Sequence, residues 1–201
     1  MIEYIVFDLG NVIVRFNPYL NLKEFIRETG ADENLIFSFF SSQTERQFTE
    51  GHISTAEFFL TMKKELNISV SLDYFDRIYS DIFSPDFQVW DIISALKHLY
   101  PLALLSNTNE LHFKHIYKTY PIVRELTPHI LSFKEGCQKP DKRIFDILLE
   151  RIGKTPDQVL FIDDTEENIR AAQKHGIHAI LHTDAHTLQK GLKAHDITCA
   201  L

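Results

Sequence analysis

Tyr4-Ile5-Val6-Phe7 is a short, partly β-branched apolar run that stops at Asp8 and a turn, Leu9-Gly10-Asn11. A run of this kind reads as a strand buried on both faces, which calls for a parallel sheet covered by helices. In such sheets chemistry collects beyond the carboxyl ends of the strands, where Asp8 stands. An Asp in a turn also serves as a plain structural cap, so later stretches must decide. Leu102-Ala103-Leu104-Leu105 is a second apolar run, and it ends in Ser106-Asn107. Ile130-Leu131-Ser132-Phe133 is the predicted third strand, and Val159-Leu160-Phe161-Ile162, ending in Asp163-Asp164, the fourth. Ile177 to Leu181 is the fifth.

Helical patterns separate these runs. Trp90 to Leu99 places Ile92, Ile93, Leu96 and Leu99 on one face, and Asn109 can cap the next helix. Pro140 is expected in the first turn of a helix carrying Ile144, Phe145, Leu148 and Ile152. Gly176 closes another helix, and a last one lies near Thr187 to Lys193. The alternation specifies an α/β fold, a doubly wound parallel sheet of at least five strands with Asp8 on a central one.

After Arg15-Phe16-Asn17-Pro18 the pattern turns helical and stays so. Leu20, Leu22, Phe25 and Ile26 form an apolar face that stops at Gly30, a C-cap signal. Asp32 can cap Leu35 to Phe40, Ser54 and Glu57 have capping-box spacing, and Leu72, Phe75, Ile78 and Tyr79 keep the helical period. Residues 16–90 hold 11 of the 16 Phe residues, more than a solvated insertion needs. We therefore expect an inserted helical unit at 16–88 with its own core, and a Rossmann-like unit built from 1–15 and 89–201.

A net charge of -7 disfavours nucleic acid or an anionic membrane as partner, and no stretch approaches the roughly 18 apolar residues of a span. The first strand begins too early for a signal peptide, and Cys137 and Cys199 lack metal spacing. Those features lead us to expect a cytoplasmic protein with reduced thiols, a monomer or weak dimer.

Asp8, Ser106-Asn107 and Asp163-Asp164 end three strands, and all strand ends of a parallel sheet lie on one edge. The loop residue Lys139 can join them. Three carboxylates together repel one another without a cation, and an all-oxygen site suits Mg²⁺ with a substrate phosphate. Ser106, Lys139 and the backbone N–H groups of Leu9 and Gly10 would then hold that phosphate. Arg15, close after the Asp8 turn, would touch a bound anion or form a hinge salt bridge. Arg46, Glu50 and His52 flank Gly51 in a turn that either overlooks the site or is simply solvated.

Four segments, Phe7-Asp8-Leu9-Gly10-Asn11-Val12, Leu105-Ser106-Asn107, Lys139-Pro140-Asp141 and Phe161-Ile162-Asp163-Asp164, resemble the four motifs of the haloacid dehalogenase superfamily. The helical insertion is similar to that family's small α-helical cap. The resemblance covers nearly the whole chain. It implies a Mg²⁺-dependent phosphatase of small phosphorylated metabolites, with Asp8 as nucleophile and metal ligand. It further implies phosphate binding by Ser106 and Lys139, with Asn107 assisting through its backbone. Asp164 and the Gly10 carbonyl would ligate the metal, with Asp163 ligating directly or through water.

One position departs from the family pattern. Family phosphatases usually carry an Asp general acid–base two residues after the nucleophile, where this chain has Gly10. Such a loss typically costs about 10²–10⁴ in rate. The Asp-Leu-Gly-Asn-Val turn and the Ser-Asn-Thr-Asn run resemble a bacterial subgroup that includes α-D-glucose-1-phosphate phosphatases. Leaving groups of low pKa suffer least without an acid, so a sugar 1-phosphate is expected to be preferred over a 6-phosphate. The alternatives are a non-catalytic phospholigand-binding protein and a dehalogenase. The second would have no use for Asp163-Asp164 as a metal site.

Overall fold

The computed structural model describes residues 1–198; Cys199 lies outside them. Strands β1 (Tyr4–Phe7), β4 (Leu102–Ser106), β5 (His129–Leu131), β6 (Val159–Asp163) and β7 (His178–Leu181) form one parallel sheet in the order β5-β4-β1-β6-β7. The sheet has β1 at its centre, so Asp8 leaves the middle of the carboxyl edge. All four β1 residues are buried, as a run without alternation requires.

Helices cover both faces of this sheet, and one apolar cluster lies on each side. One is built on Ile5, Phe7, Leu104 and Leu160, the other on Val6, Ala103, Leu105 and Phe161, so successive residues of each strand serve opposite clusters. The covering helices are α6 (Phe87–Leu96), α7 (Glu110–Thr119), the short α8 (Ser132–Glu135), α9 (Lys142–Ile152), α10 (Glu166–Lys174) and α11 (Ala185–Ala194).

The chain leaves the sheet through β2 (Val14–Phe16) and returns through β3 (Phe83–Pro85), which pair antiparallel as a two-stranded ribbon. Between them lie α1 (Leu22–Thr29), α2 (Glu33–Phe40), α3 (Gln43–Thr49), α4 (Thr55–Glu65) and α5 (Leu72–Ser80). They share a third apolar cluster centred on Phe39, Phe48, Phe58, Met62 and Phe75. The Phe48 and Phe58 rings stack 4.3 Å apart, which is where the Phe-rich composition of this segment goes. Gly30 closes α1 in the left-handed conformation at φ 69°, Asp32 caps α2, and Ser54 with Glu57 forms a complete capping box on α4.

Several local expectations need correction. Ser132 and Phe133 are not strand: β5 stops at Leu131, opposite Ser106, because β4 offers no further residue to pair. Ser132 begins α8 instead. Pro140 lies before its helix, whose cap is Asp141, accepting from the Arg143 N–H. The helix expected from Trp90 begins at Phe87, capped by Asp86, and ends at Leu96, leaving Leu99 out of it and exposed. Leu20 likewise precedes α1 and is exposed. Cys137 is a buried free thiol, and no described helix is long and apolar enough to cross a membrane.

Candidate active site

Lys139 is the hub. Its ammonium lies 2.8 Å from Asp8 Oδ1 and 2.6 Å from Asp163 Oδ2, and donates to the Leu105 carbonyl at 3.1 Å. An ammonium has three N–H donors, so these partners use all of them. Its side chain is 1% exposed, which makes the three acceptors obligatory. Asn107 fixes the backbone of Lys139: its side-chain amide donates to the Lys139 carbonyl and accepts from the Lys139 N–H, both at 2.8 Å.

Asp163 is buried and fully engaged. Oδ1 accepts from the Thr165 N–H at 2.8 Å, Oδ2 accepts from Lys139, and the Asn168 amide reaches both oxygens at 3.1 Å. Asp164, by contrast, turns outward, with Oδ2 accepting from Asn11 Nδ2 at 3.0 Å. Among the described residues, Asn11 is one of three non-glycine residues at positive φ, at 53°. Its Oδ1 accepts from the Phe16 N–H at 3.1 Å, tying the Asp164 side to the ribbon. Asp8, Asp163 and Asp164 each offer an oxygen, and the three lie within 4.8 Å of one another. No backbone N–H among the described residues donates to the Gly10 carbonyl. This donor set of hard oxygens fits a small divalent cation.

Burial drives the electrostatics. It pushes the Asp8 carboxyl up to about 7, with Asp163 adding to the rise and Lys139 and the Leu9 N–H opposing it. Burial pulls the Lys139 ammonium down, but Asp8 and Asp163 outweigh it and the net shift is upward. Lys139 therefore stays charged, a fixed cation between two carboxylates.

Ser106 ends β4 and is 3% exposed, beside Asn107. The loop continues through Thr108, whose N–H donates to Ser132 Oγ at 2.9 Å; that hydroxyl also reaches the Thr108 and Thr49 carbonyls at 2.8 and 2.7 Å. A single hydroxyl proton serves one carbonyl at a time, so Ser132 links the Ser106 loop to the inserted helices by a shared bond. Next to it, Gly51 packs so closely that a Cβ there would meet the Phe133 carbonyl oxygen at 2.0 Å. The Arg46–His52 turn therefore sits on the sheet unit.

Its charged residues pair with each other: Arg46 with Glu50 at 3.0 Å, and His52 with Glu50 at 3.5 Å. Arg143 chiefly holds the Asp141 carboxyl below its usual range, and Arg46 adds to that across the turn. Arg15 forms an exposed hinge ion pair with Asp86 at 3.2 Å and makes no hydrogen bond to the carboxylate cluster.

Reading the sequence missed Asn168 and Ser132, and assigned no side-chain role to Asn107 or Asn11. Asn168 had a usable signal: it is the third residue of α10, from which a side chain reaches back over the helix start.

A parallel sheet with acidic strand ends, a buried lysine hub and a helical insertion after the first strand defines a Rossmann-like enzyme core with an inserted helical unit. The chain belongs to the haloacid dehalogenase-like hydrolases, which match it over residues 2–176. It is 26% identical over 184 residues to a D-ribitol-5-phosphate phosphatase of Bacteroides thetaiotaomicron, covering 88% of this chain and 89% of that one. It is 22% identical over 182 residues to a sesquiterpene phosphatase of Aspergillus oryzae, covering 90% and 89%. A solved haloacid dehalogenase-family enzyme of B. thetaiotaomicron, in complex with magnesium and inorganic phosphate, superposes with a TM-score of 0.81. It is 27% identical, with 89% of this chain and 93% of that one covered.

Proposed function

We propose that the protein is a Mg²⁺-dependent phosphatase of small phosphorylated metabolites, with Asp8 as the nucleophile. The observation that carries this reading is the Asp8–Lys139–Asp163 triad beside the outward-facing Asp164. The two relatives are named as phosphatases of different compounds, and the shared phosphatase chemistry is the part carried over here.

Asp8 attacks phosphorus in line, its Oδ1 set by Lys139; as the aspartyl phosphate forms, the ester P–O bond breaks and the leaving oxygen departs as an anion that takes its proton from solvent. Water then cleaves that acyl phosphate and restores Asp8. Lys139 lends charge from behind the nucleophile rather than by donating to phosphate, since its three N–H groups are occupied. Ser106 and the N–H groups after Asp8 bind the phosphate oxygens, and Asn107 holds Lys139 in place. Asp8, Asp164 and the Gly10 carbonyl would hold Mg²⁺, while the oxygens of Asp163 are already taken by Thr165, Lys139 and Asn168. When bound there, the cation would supply positive charge for the non-bridging oxygens.

The segment 16–88 acts as the cap, and its Arg46–Glu50–His52 turn closes over one side of the site. Gly10 supplies no proton, so activated leaving groups are favoured, a sugar 1-phosphate over the 6-phosphate of the same sugar. A phosphate-release panel with and without EDTA tests the reading. Mg²⁺-dependent release is expected; release that survives the chelator, or binding with no release for any ester, sinks it.

A further inference from the structure

The inserted helices, together with Phe16, Ile82 and His112 of α7, line a cavity of about 310 Å³ that the scheme above does not use. Its size lies within the range of small-molecule sites. Its walls are chiefly apolar, with Phe16, Leu22, Phe37, Phe40, Phe75 and Tyr79 contributing, and Asn21, Ser41, Glu45 and His112 supplying its polar groups. A core would close over such a space, because unfilled apolar volume forfeits packing energy.

Two hydrogen-bonded paths join this cavity to the carboxylate site. Tyr79, on one wall, accepts at its hydroxyl from Asn109 Nδ2 at 2.9 Å, and Asn109 is in the loop that Ser106 begins. Phe16, on another wall, donates its N–H to Asn11, which in turn donates to Asp164. Two wall residues, Tyr79 and Phe16, are thus hydrogen-bonded to the loops that present the phosphate and metal groups.

We propose that this cavity receives the alcohol portion of the substrate, and that the preferred substrates are phosphate monoesters of apolar, chiefly aromatic, alcohols. This rests on the phosphatase reading and narrows it. Aryl esters meet both demands of the molecule: an apolar group for the cavity, and a leaving oxygen acidic enough to depart without the acid missing at Gly10. Glu45 works against a second anionic group on the alcohol. It accepts from Thr49 and Tyr79 at the cavity edge and offers no cation to a second anion there.

The test compares 1-naphthyl phosphate with phenyl phosphate, whose alcohols have closely matched acidity, in the Mg²⁺-loaded full-length protein. The second ring should raise kcat/KM about tenfold, mainly through KM, as one added apolar group in a pocket does. Ser41→Phe, at an exposed position on the cavity edge, and Leu22→Trp, from the α1 wall, should each bring the ratio toward one, while Ser41→Ala keeps it. A ratio near one in wild type, or one that neither filling variant changes, overturns the cavity assignment and leaves the phosphatase reading standing, provided phenyl phosphate is hydrolysed. Failure to hydrolyse either aryl ester while sugar phosphates turn over also overturns it. If no phosphate ester is hydrolysed, the phosphatase reading fails and this inference falls with it.

Discussion

Lys139 Nζ lies 2.8 Å from Asp8 Oδ1 in a setting where the lysine side chain is 1% exposed and the Asp8 side chain 11%. At that burial neither charge is stable without the other, and Asp163 on the far side makes the pair a triad. Lys139→Met should therefore cost stability as well as activity, by about 3–5 kcal/mol, because it leaves two buried carboxylates uncompensated. Urea unfolding of the variant checks this. A second variant, Lys139→Met with Asp163→Asn, should recover part of the stability and none of the turnover.

Gly10 has open space where a Cβ would be added, and it is not among the positive-φ glycines. Gly10→Asp should fold and supply the missing proton donor. We expect a gain of roughly 10- to 100-fold in kcat/KM for glucose 6-phosphate and a smaller gain for glucose 1-phosphate. Equal gains for both esters would remove the leaving-group argument.

Gly51 sits at φ +69° with the Phe133 carbonyl oxygen 2.0 Å from the position of a Cβ. Gly51→Ala must move the Arg46–His52 turn off α8, at a cost of about 2 kcal/mol or more from strain and displacement together. Thermal unfolding and KM should both respond, with KM rising as the displaced turn loosens the closed site.

His112 gives the fold a pH dependence of known sign. Burial pushes its imidazole down to about 3 from 6.5, and its ring stacks on Tyr79 at 4.2 Å. The neutral ring donates from Nε2 to the Tyr79 carbonyl and accepts at Nδ1 from Asn109. The unfolded chain binds the extra proton first, so this contribution is complete above pH 6.5 and is lost as pH falls toward 3. At pH 5 the loss is about 2 kcal/mol. Asp8 has the opposite sign, since its folded carboxyl keeps its proton up to about 7. The readout is therefore the difference between wild type and His112→Gln, whose stability should fall less steeply below pH 6.5.

How much of this was legible in the chain follows from what each feature depends on. The strands ending at Asp8, Ser106 and Asp163 announced themselves by apolar runs, and parallel topology alone places their ends on one edge. The amides that organise that edge did not. Asn107 grips the backbone of a residue 32 positions away, and Asn11 reaches Asp164 across 153 positions. Neither contact has a local pattern, and an Asn beside a strand end reads as an ordinary turn or cap residue. Ser132 was hidden by the apolar residues around it, since its departure from the strand depends on where β4 stops. Arg15 had two readings, and the hinge ion pair with Asp86 is where the structure places it.

The most direct measurement is phosphate release by wild type and Asp8→Asn at saturating Mg²⁺, with the fold of both checked by thermal unfolding. Asp8→Asn removes the nucleophilic charge but keeps the shape of the side chain. The expected result is Mg²⁺-dependent release by wild type and a loss of at least about 10³-fold in the variant, with the fold retained. Release by Asp8→Asn at the wild-type rate would contradict the assignment of Asp8 and the mechanism built on it.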